Sequence, residues 1–548
     1  MKNKYLFILV AALLISNGGY SQSNFGFSGG VPLKENYAPL FGKDIIINDQ
    51  PTQTQQRVAL CCAFNGWLYS AITYKDPVYT TCAVVTVLRS TDNGITWVDI
   101  FDDWFPPGSG DAVFTSVNIT AIGNSLPNLK FLLGLVASTT TSHYSTGFVD
   151  LHNGETGNFE GHLFRESMCY DLCMATDGMY PALNSSPQSV GILYSKHSFT
   201  GGDSIVFLPS NDGGLSFNLH QPVAVTGGHY HKVGLSYGRS TSWASGRYFA
   251  IWEEKSDFGD IPGNIFTSHS EPNFDSPFTV PINLDGLDPA DYNLCTNPSI
   301  ACQNNDVDND SSNLTEVVLF DRYDATYQQY DLEGYYNLQA ANHNYFNKMT
   351  LTNPAHKCLQ PSINFNPFDS TFMVTYYDST TQRLPYLTNN FNLKNPNTWQ
   401  FISNGYNDST TLSAPYPKVA LNLEQKKVAC VWIRDGSDGK GIAMFDSPYS
   451  TWTGVTENNL PADALQLGLY PNPCNSWVTI WFDLQKNANV SIKAYTSLGQ
   501  IAAVFTDQNY KAGKHELKCN LNNLLPGSYI LKLQTDDGTK STKLIVVR

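Results

Sequence analysis

The sequence lacks long apolar runs and long helical patterns. After the N-terminal segment no apolar run reaches the ~18 residues that a membrane-spanning helix needs, so we expect no transmembrane segment in the mature chain. Charged residues make up only 15% of the chain, whereas aromatic residues make up 13%, and there are 41 Gly. Little charge together with many aromatic and turn-forming residues indicates an extracellular all-β protein.

Motifs for nucleophilic and zinc chemistry are also missing. We find no serine that the sequence places on a strand-to-helix nucleophile elbow, and no paired C-x-x-C spacing for zinc. The chain has 11 Cys, an odd number, so at least one cannot pair within a monomer. Because an exported chain can oxidise, four bridges are candidates. They are Cys61 or Cys62 with Cys82, Cys169 with Cys173, Cys295 with Cys302, and Cys474 with Cys519.

Negative charge dominates but is unevenly distributed. The net charge is −15, while residues 466–548 hold nine Lys or Arg against five Asp or Glu, and two Lys lie in the first four residues. The body between them therefore carries −21. This charge argues against nucleic acid or an anionic membrane as a partner. It is compatible with cation binding and with solubility alone, and we expect the latter.

The N-terminus has the three parts of a secretory signal. A basic start, Met1-Lys2-Asn3-Lys4, precedes an apolar core from Tyr5 to Ile15 and a small-residue exit at Gly19-Tyr20-Ser21. The core is too short to span a bilayer. We therefore predict a signal peptide over 1–21, cleaved after Ser21, which directs the chain to the periplasm.

The last 83 residues, 466–548, predict a small β-sandwich. Short alternating runs such as 477–482, 490–495, 529–533 and 543–547 are separated by turns, a pattern typical of such a domain. Two of the turns contain Gly499 and Gly527, where a positive φ costs little.

This tail resembles the type A C-terminal sorting domain of substrates of the Bacteroidetes type IX secretion system. Three motifs carry the resemblance: Tyr-Pro-Asn-Pro at the opening, a Leu-Gly turn, and Leu-Pro-Gly-x-Tyr. The motif residues are Tyr470, Pro471, Asn472, Pro473, Gly499, Pro526, Gly527 and Tyr529. The resemblance implies an immunoglobulin-like fold, handling by the type IX machinery, and delivery to the outer surface or the medium.

The body, residues 22–455, repeats a unit that predicts a β-propeller, and 456–465 form a linker. Each unit opens with a short strand after a Pro or a basic residue, followed by a more apolar strand. The starts lie near Arg57, Ser116, Tyr180, Lys232, Asn297, Gln360 and Tyr416. Their spacing of about 50 to 67 residues suits four-stranded blades. We expect seven blades, with six as the alternative because the starts at 116 and 180 are faint.

Two segments match the Asp-box pattern S-x-D-x-G-x-T-W, the second more loosely. Their residues are Ser90, Asp92, Gly94, Thr96 and Trp97, and Asp212, Gly214 and Phe217. The Asp carboxylate can accept backbone N–H bonds in a tight hairpin, Gly permits the turn, and the aromatic ring packs into the blade. The body thus resembles sialidase-like propellers, in which these boxes lie at the blade periphery, away from the ligand.

Hydrolase chemistry has weak support. A sialidase needs three convergent Arg for a carboxylate, a Tyr with a Glu partner, and an Asp acid. The early Arg-Ile-Pro signature of that family is absent, and nothing in the sequence makes three arginines converge. The arginines available are Arg57, Arg89, Arg165, Arg239, Arg247, Arg322, Arg383 and Arg434. Glu253-Glu254 could supply a strand-end carboxylate, but we expect a solvated turn.

Two segments are candidates for metal binding. Asp306, Asp308 and Asp310 alternate, with Asn313 and Glu316 following, a spacing that could wrap around Ca²⁺. The central Gly of an EF-hand-like loop is replaced by Ser311, so we expect a solvated acidic loop instead. His229 and His231 would share one face of a strand, with His220 near but no third ligand identified. We therefore expect a partly exposed aromatic strand beside a loop rather than a metal site.

Two functions remain open. One is a binding propeller that holds a glycan, peptide or surface partner at one end of its channel. The other is a sialidase-like glycoside hydrolase, suggested by the Asp-boxes and the export route. No cofactor is indicated beyond the calcium candidate.

Overall fold

The computed structural model describes most of the chain between residues 41 and 547. The described residues are 41, 44–48, 55–76, 78–106, 111–139, 145–177, 189–197, 202–210, 212–217, 219–225, 229–241, 246–255, 263–271, 277–284, 294–305, 314–324, 328–340, 346–349, 351–352, 356–389, 399–403, 405–408, 412–423, 425–436, 441–447, 465–470, 472, 474–484, 486–495, 501–522, 524–535 and 538–547. The predicted signal peptide and nearly all of the predicted linker lie outside them. The chain divides into two compact units, 1–449 and 450–548.

Within its described residues, the first unit contains seven antiparallel four-stranded sheets. The first strand in the chain, β1 (Ile45–Asn48), belongs to the last sheet. Blade 1 comprises β2 (Gln55–Cys62), β3 (Leu68–Lys75), β4 (Ala83–Ser90) and β5 (Val98–Phe105). Blade 2 comprises β6 (Ala112–Ile122), β7 (Lys130–Thr139), β8 (Thr146–Asn153) and β9 (Phe159–Ser167), with a 3₁₀ turn at Leu126–Asn128. Blade 3 comprises β10 (Cys169–Thr176), β11 (Val190–Lys196), β12 (Ser204–Ser210) and β13 (Gln221–Val225).

The remaining blades follow the same order. Blade 4 comprises β14 (His229–Gly238), β15 (Arg247–Lys255), β16 (Asn264–His269) and β17 (Ile282–Asn283). Blade 5 comprises β18 (Cys295–Cys302), β19 (Glu316–Asp324), β20 (Gln329–Asn337) and β21 (Asn347–Met349). Blade 6 comprises β22 (Cys358–Asn366), β23 (Thr371–Asp378), β24 (Tyr386–Asn389) and β25 (Gln400–Ser403). Blade 7 comprises β26 (Lys418–Asn422), β27 (Lys427–Asp435), β28 (Gly441–Asp446) and, at its outer edge, β1.

The seven sheets form a ring. The first strand of each blade contacts the first strand of the next, and β26 of blade 7 contacts β2 of blade 1. The N-terminal β1 pairs with β28, so one blade combines both ends of the unit and closes the ring. The prediction of an all-β propeller with seven blades is confirmed, and the six-blade alternative is wrong.

Packing between blades explains the apolar second strands. In β15, β19, β23 and β27 the central residues are almost all buried, since neighbouring blades cover both faces of the sheet. Trp252 and Trp432 are 1% and 0% exposed. Such strands read as continuous apolar runs rather than alternating ones.

One predicted blade start is wrong. Tyr180 lies outside the described residues, and the first strand of blade 3 is β10, which begins at Cys169. This strand has no Pro at its start and carries Asp171 where the clearer copies have Ser or Lys. The pattern that marks the other blades is therefore absent from it.

The predicted disulfides are not formed. Cys82, Cys169, Cys173, Cys302 and Cys519 are free thiols, and each of the four proposed bridges requires at least one of them. Geometry explains two of the failures. Cys295 and Cys302 lie at opposite ends of β18, and Cys169 and Cys173 lie four residues apart on β10. At about 3.3 Å per residue, an extended strand holds both pairs beyond the ~7 Å limit for a bridge.

The second unit is a two-sheet β-sandwich. One sheet has the order β29 (Leu465–Tyr470), β30 (Trp477–Leu484) and β33 (Gly513–Asn520). The other has the order β32 (Ile501–Tyr510), β31 (Ala488–Tyr495), β34 (Gly527–Thr535) and β35 (Gly538–Val546). Inward residues alternate along β30 and β31, as expected for sheets with one solvated face. The predicted immunoglobulin-like sandwich is confirmed.

Candidate functional site

The central channel of the propeller has two chemically different ends. We call the end where the first strands begin the upper end, and the end where they finish the lower end. A cavity of about 310 Å³ at the lower end is lined by the last residues of all seven first strands. Its lining is mostly small or apolar, with Cys61, Cys62 and Cys302 among the residues. It offers few groups to orient a polar ligand.

The upper end brings three cations together. Arg57 of blade 1, Lys232 of blade 4 and Lys418 of blade 7 each lie at or near the start of a first strand. Burial lowers the pKa of Lys418, the nearby Asp171 raises it, and Arg57 and Lys232 lower it further, so all four groups share one electrostatic environment. We call these four residues the channel mouth.

The cations of the channel mouth are not neutralised by ion pairs. Among the described residues, none of the three lies within 4.0 Å of a carboxylate oxygen. Lys232 Nζ donates instead to Thr296 Oγ1 at 3.1 Å and to Asn297 Oδ1. The Arg57 guanidinium lies over the Tyr416 ring at 4.0 Å. Lys418 is exposed along its side chain although channel walls surround it. Uncompensated positive charge in a concave site favours an anionic ligand.

Asp171 has a structural task at the mouth. Its Oδ2 accepts the backbone N–H of Val233 at 3.0 Å, which links blade 3 to blade 4. Ser362 does the equivalent for blades 6 and 7, since its hydroxyl accepts the N–H of Val419 at 3.1 Å. Burial raises the pKa of Asp171, although hydrogen bonds to Ser116 and to two backbone N–H groups oppose the effect.

The x-Pro pairs at three blade starts have an unusual backbone. Asn297, Gln360 and Tyr416 have φ values of 54°, 55° and 44°, which non-glycine residues rarely adopt. Bulges follow at the Pro in β18 and β22. Left-handed residues outside turns cost energy and concentrate at ligand sites. Here they direct side chains around the mouth: Gln360 Oε1 accepts the N–H of Tyr416 at 3.0 Å.

Two buried carboxyl groups lie behind this ring. The expectation of a solvated turn at Glu253 is wrong: Glu253 lies in β15, is 0% exposed, and accepts a hydrogen bond from Thr296 at 2.9 Å. Asp321 accepts bonds from Asn297 Nδ2 and from the N–H of Gln360. Burial raises the pKa of Asp321 to about 7, with Glu253 adding to the rise. Both groups face protein rather than the channel.

The arginines do not form the triad of a sialidase. Among the described residues only Arg57 belongs to the channel mouth. Arg89 lies over Trp67 at 4.6 Å, Arg247 pairs with Glu271 at 3.3 Å, and Arg322 pairs with Glu333 at 2.8 Å. The stretch 234–238 has the spacing G-x-S-x-G, but it runs inside β14, and its Ser236 accepts the N–H of Cys302 at 3.0 Å. It is a strand serine and not a nucleophile elbow.

The calcium candidates Asp306, Asp308 and Asp310 lie outside the described residues, as does Asn313. Glu316, which the sequence offered as a further ligand, begins β19 and is 0% exposed, with Thr267 Oγ1 3.0 Å from its Oε1. Burial raises the pKa of Glu316 to about 8. Glu316 is thus enclosed by protein, and the calcium site at Asp306, Asp308 and Asp310 stays a prediction.

The predicted histidine pair has different partners. His229 begins β14, and its Nδ1 lies 3.1 Å from Asp203 Oδ2, while His197 Nδ1 lies 2.6 Å from Asp203 Oδ1. The side chain of His231 is outside the described part of the chain. His220 contacts the Tyr194 hydroxyl at 3.3 Å instead.

Both segments that match the Asp-box pattern form hairpin turns at the lower end, between the third and fourth strands of blades 1 and 3. Asp92 accepts the N–H of Thr96 at 2.8 Å and its hydroxyl at 2.7 Å, and the Ser90 hydroxyl also contacts it. Burial is the largest single effect and raises the pKa of Asp92, but the hydrogen bonds together outweigh it and hold the pKa below 3.8. Asp212 makes the same bonds to Ser216 and Ser210.

Each box packs against the preceding blade. Gly94 lies against Phe445 of blade 7, whose ring also meets Trp97 at 5.2 Å. Gly214 lies against Ile122 of blade 2, and Phe217 is buried beside it in the core. The first box therefore lies on the seam that closes the ring.

This seam predicts unequal costs for the two box glycines. A Cβ added to Gly94 would lie 2.0 Å from Phe445 Cε1, whereas one added to Gly214 would lie 3.1 Å from Val190 Cγ2, and both have φ of +91°. We expect Gly94→Ala to lower the free energy of unfolding by about 2–4 kcal/mol, from overpacking and strain together. Gly214→Ala should cost about 1–2 kcal/mol, from strain alone. Denaturant unfolding of both variants measures the two losses of unfolding free energy. Equal losses would contradict the prediction that Gly94 is the more tightly packed of the two glycines.

The motif residues of the tail lie at the edges of its sandwich. Tyr470 ends β29 and is 50% exposed, and Asn472 follows it. Pro526 and Gly527 lead into β34, where Tyr529 is buried and its hydroxyl donates to the carbonyl of Leu525 at 2.8 Å. Such a tyrosine corner is typical of immunoglobulin-like sandwiches. Pro471, Pro473 and Gly499 lie outside the described residues.

Residues 468–547 match the family described as "Secretion system C-terminal sorting domain". The tail is a type IX secretion sorting domain. The protein is therefore exported, to the medium or the outer cell surface, and the type IX machinery handles it. Within the described residues, no helix has the length and apolar character needed to cross a membrane.

Solved structures similar to the chain are distant. A Dyadobacter fermentans protein of unknown function is 12% identical, with 74% of this chain and 98% of that chain covered and a TM-score of 0.42. An α-L-arabinanase of Penicillium chrysogenum is 12% identical, with 74% of this chain and 98% of that chain covered and a TM-score of 0.40. A Trypanosoma rangeli sialidase is 9% identical, with 92% of this chain and 87% of that chain covered and a TM-score of 0.32. No curated protein matches. The assignment of a propeller fold is based on the sheet order of this chain and not on its similarity to these structures.

The channel mouth was not predicted from the sequence, although the basic residues at the blade starts pointed to it. The repeat was recognised by strands that start after a Pro or a basic residue, and Arg57, Lys232 and Lys418 are those basic residues. Because the three residues occupy equivalent positions in their blades, they all lie at the same end of the channel. That step required knowing which strand of each blade is innermost.

Proposed function

We propose that this is an exported binding propeller whose channel mouth holds an anionic saccharide. The supporting observation is the meeting of Arg57, Lys232 and Lys418 from three different blades without ion-pair partners among the described residues. The type IX sorting domain delivers this propeller, and residues 1–21 act as its signal peptide. Because the protein is exported, it would meet this ligand outside the cell or on the cell surface.

Charge selects the ligand class. The body of the protein is strongly acidic, so three cations around the upper end of one channel are a local exception to its field. Carboxylate groups of uronic or sialic sugars accept charge-assisted hydrogen bonds from Lys and Arg. Tyr416 and the half-buried Tyr330 lie at the same end and offer ring faces and hydroxyls to the sugar. A mouth of this kind can orient an acidic sugar without cleaving it.

Binding explains the mouth better than hydrolysis. Most glycosidases require two carboxyl groups on either side of the scissile bond, and a sialidase requires a Tyr nucleophile with a Glu partner and an Asp acid. Glu253 and Asp321 are 0% and 1% exposed and are engaged by Thr296, Asn297 and Gln360. Asp171 is engaged by the N–H of Val233. These three carboxyl groups link neighbouring blades rather than face a substrate.

Calorimetric titration tests the proposal. An oligosaccharide of uronic acids and a neutral oligosaccharide of equal length should be compared at low and high salt. We expect binding of the acidic ligand only, weakened by salt because charges are screened. Lys418→Met should weaken it at least about 10-fold, since a hydrogen bond to a charged group contributes about 1.5–3 kcal/mol.

Lys427→Met is the matched control. Lys427 is the same residue type in the same blade, at the start of β27 and thus at the lower end. Its loss should leave the affinity unchanged. Equal affinity for the neutral ligand, or equal effects of the two substitutions, would refute the proposal. Chromatography of the ligand after incubation reveals any cleavage, which would favour the hydrolase instead.

A further inference from the structure

Three potential metal ligands meet between blades 3 and 4, at the upper end. His197 follows β11 and Asp203 precedes β12, so they lie at the two ends of one hairpin connection, next to the paired residues Lys196 and Ser204. His229 is the first residue of β14 in the next blade. The ring of blades, not sequence proximity, brings His229 to the other two.

The three side chains are close together and largely enclosed. His197 Nδ1 lies 2.6 Å from Asp203 Oδ1, and His229 Nδ1 lies 3.1 Å from Asp203 Oδ2. Potential ligand atoms of all three lie within 4.8 Å of one another. The side chains of His197 and His229 are 12% and 16% exposed, and that of Asp203 is 0% exposed. Within the described part of the chain, this is the single group of three such residues.

We propose that His197, Asp203 and His229 bind a divalent transition-metal ion, with Zn²⁺ as the best fit. Two imidazoles and one carboxylate are a donor set that Zn²⁺ accepts at about 2.0–2.2 Å. Imidazole nitrogen disfavours Ca²⁺ and Mg²⁺, which take oxygen ligands. Three protein ligands leave a fourth tetrahedral position for water. The ion would join blade 3 to blade 4 where the hairpin meets β14.

Metal and protons compete for these atoms. In the structure each imidazole Nδ1 lies within hydrogen-bond distance of an Asp203 oxygen, and the ion would replace these two contacts. Metal binding to such ligands releases protons and weakens as pH falls. The alternative is a proton-linked His-Asp-His group that binds no ion. The site does not depend on the channel-mouth proposal, because none of its residues belongs to the mouth.

The experiment uses the full chain stripped of metal and titrated with Zn²⁺, and separately with Co²⁺ as a spectroscopic probe. The variants are His197→Ala, Asp203→Asn and His229→Ala. His356→Ala is the matched control, since His356 Nδ1 lies 2.8 Å from Asp378 Oδ2 and is 19% exposed, a His–carboxylate pair without a second His. Circular dichroism confirms that each variant is folded.

We expect one Zn²⁺ per chain, a rise in thermal midpoint with Zn²⁺, and a Co²⁺ spectrum of tetrahedral type. Each ligand variant should lose about 100-fold or more in affinity, because even outer-sphere changes cost about 10–100-fold. His356→Ala should bind as the wild type does. If the wild type binds Zn²⁺ no more tightly than His229→Ala, the site is a proton-linked group and the proposal is wrong. If a variant misfolds, the stoichiometry and Co²⁺ spectrum of the wild type test the proposal by themselves. The absence of a tetrahedral Co²⁺ spectrum at one equivalent would overturn the proposed metal site.

Discussion

Deleting residues 466–548 should abolish secretion and leave a folded propeller in the periplasm. The sorting domain has its own core, built from β30, β31, β34 and neighbouring strands, and the propeller has separate cores. Compact units with separate cores fold separately as a rule. Fractionation of a host with a working type IX system, followed by limited proteolysis of the periplasmic fraction, measures both parts of the prediction.

A reciprocal fusion controls for loss of stability. Residues 1–21 and 466–548 placed around an unrelated folded passenger should carry that passenger out of the cell. Unchanged secretion of the truncated chain would show that the export information lies elsewhere. Degradation of the truncated chain, together with secretion of the passenger, would retain the sorting role but show that the propeller needs the tail for stability.

Replacing Glu316 by Gln should stabilise the protein at neutral and alkaline pH. Glu316 is fully buried, and its pKa rises from the ordinary 4.5 to about 8 because burial disfavours the charged form. Thr267 Oγ1 lies 3.0 Å from both Glu316 Oε1 and the carbonyl of Ala250. The Thr267 hydroxyl can donate to the carbonyl oxygen of a neutral Glu316 side chain. A Gln side chain keeps a carbonyl oxygen that can accept the same bond, and it carries no titratable proton.

The sign of the pH effect follows from the raised pKa. The folded state keeps the proton that the unfolded state releases above pH 4.5, so the contribution of Glu316 is complete below that pH. It is lost as pH rises to about 8, at about 1.4 kcal/mol per unit, and is then constant. Wild-type stability should thus fall by several kcal/mol over this window through Glu316 alone.

Denaturant unfolding between pH 5 and 9 tests this prediction. Glu316→Gln should remove that part of the slope and be more stable than the wild type at pH 8, by roughly 3 kcal/mol or more. Glu155→Gln makes the same change at an exposed carboxylate and should leave the profile unchanged. Parallel profiles for the wild type and Glu316→Gln would show that the carboxyl group is ionised when folded.

The architecture could be predicted because its signals are local and repeated. Apolar runs such as those of β15 and β27 identify strands buried on both faces, and the spacing of blade starts gives the number of blades. Blade 3 was misplaced because β10 has neither a Pro nor a basic residue at its start. Strands β32 and β33 of the sandwich lack strong alternation, since many of their residues are exposed.

The sites could not be predicted in the same way, because they are assembled across the ring. Lys418 is distant in sequence from Arg57 and Lys232, and only the order of the blades places them together. His229 was recognised as a candidate ligand, but its partners are in the previous blade and not two residues along the strand. Glu316 looked like part of an acidic loop because burial cannot be read from its neighbours in sequence.

A crystal of the protein soaked with an oligosaccharide of uronic acids tests the central claim most directly. The account predicts density at the upper end of the channel, with a carboxylate oxygen within hydrogen-bond distance of Lys418 Nζ and close to Arg57 and Lys232. Such density should be absent from crystals of Lys418→Met. Density only at the lower cavity or outside the channel, or none at saturating ligand, would contradict it.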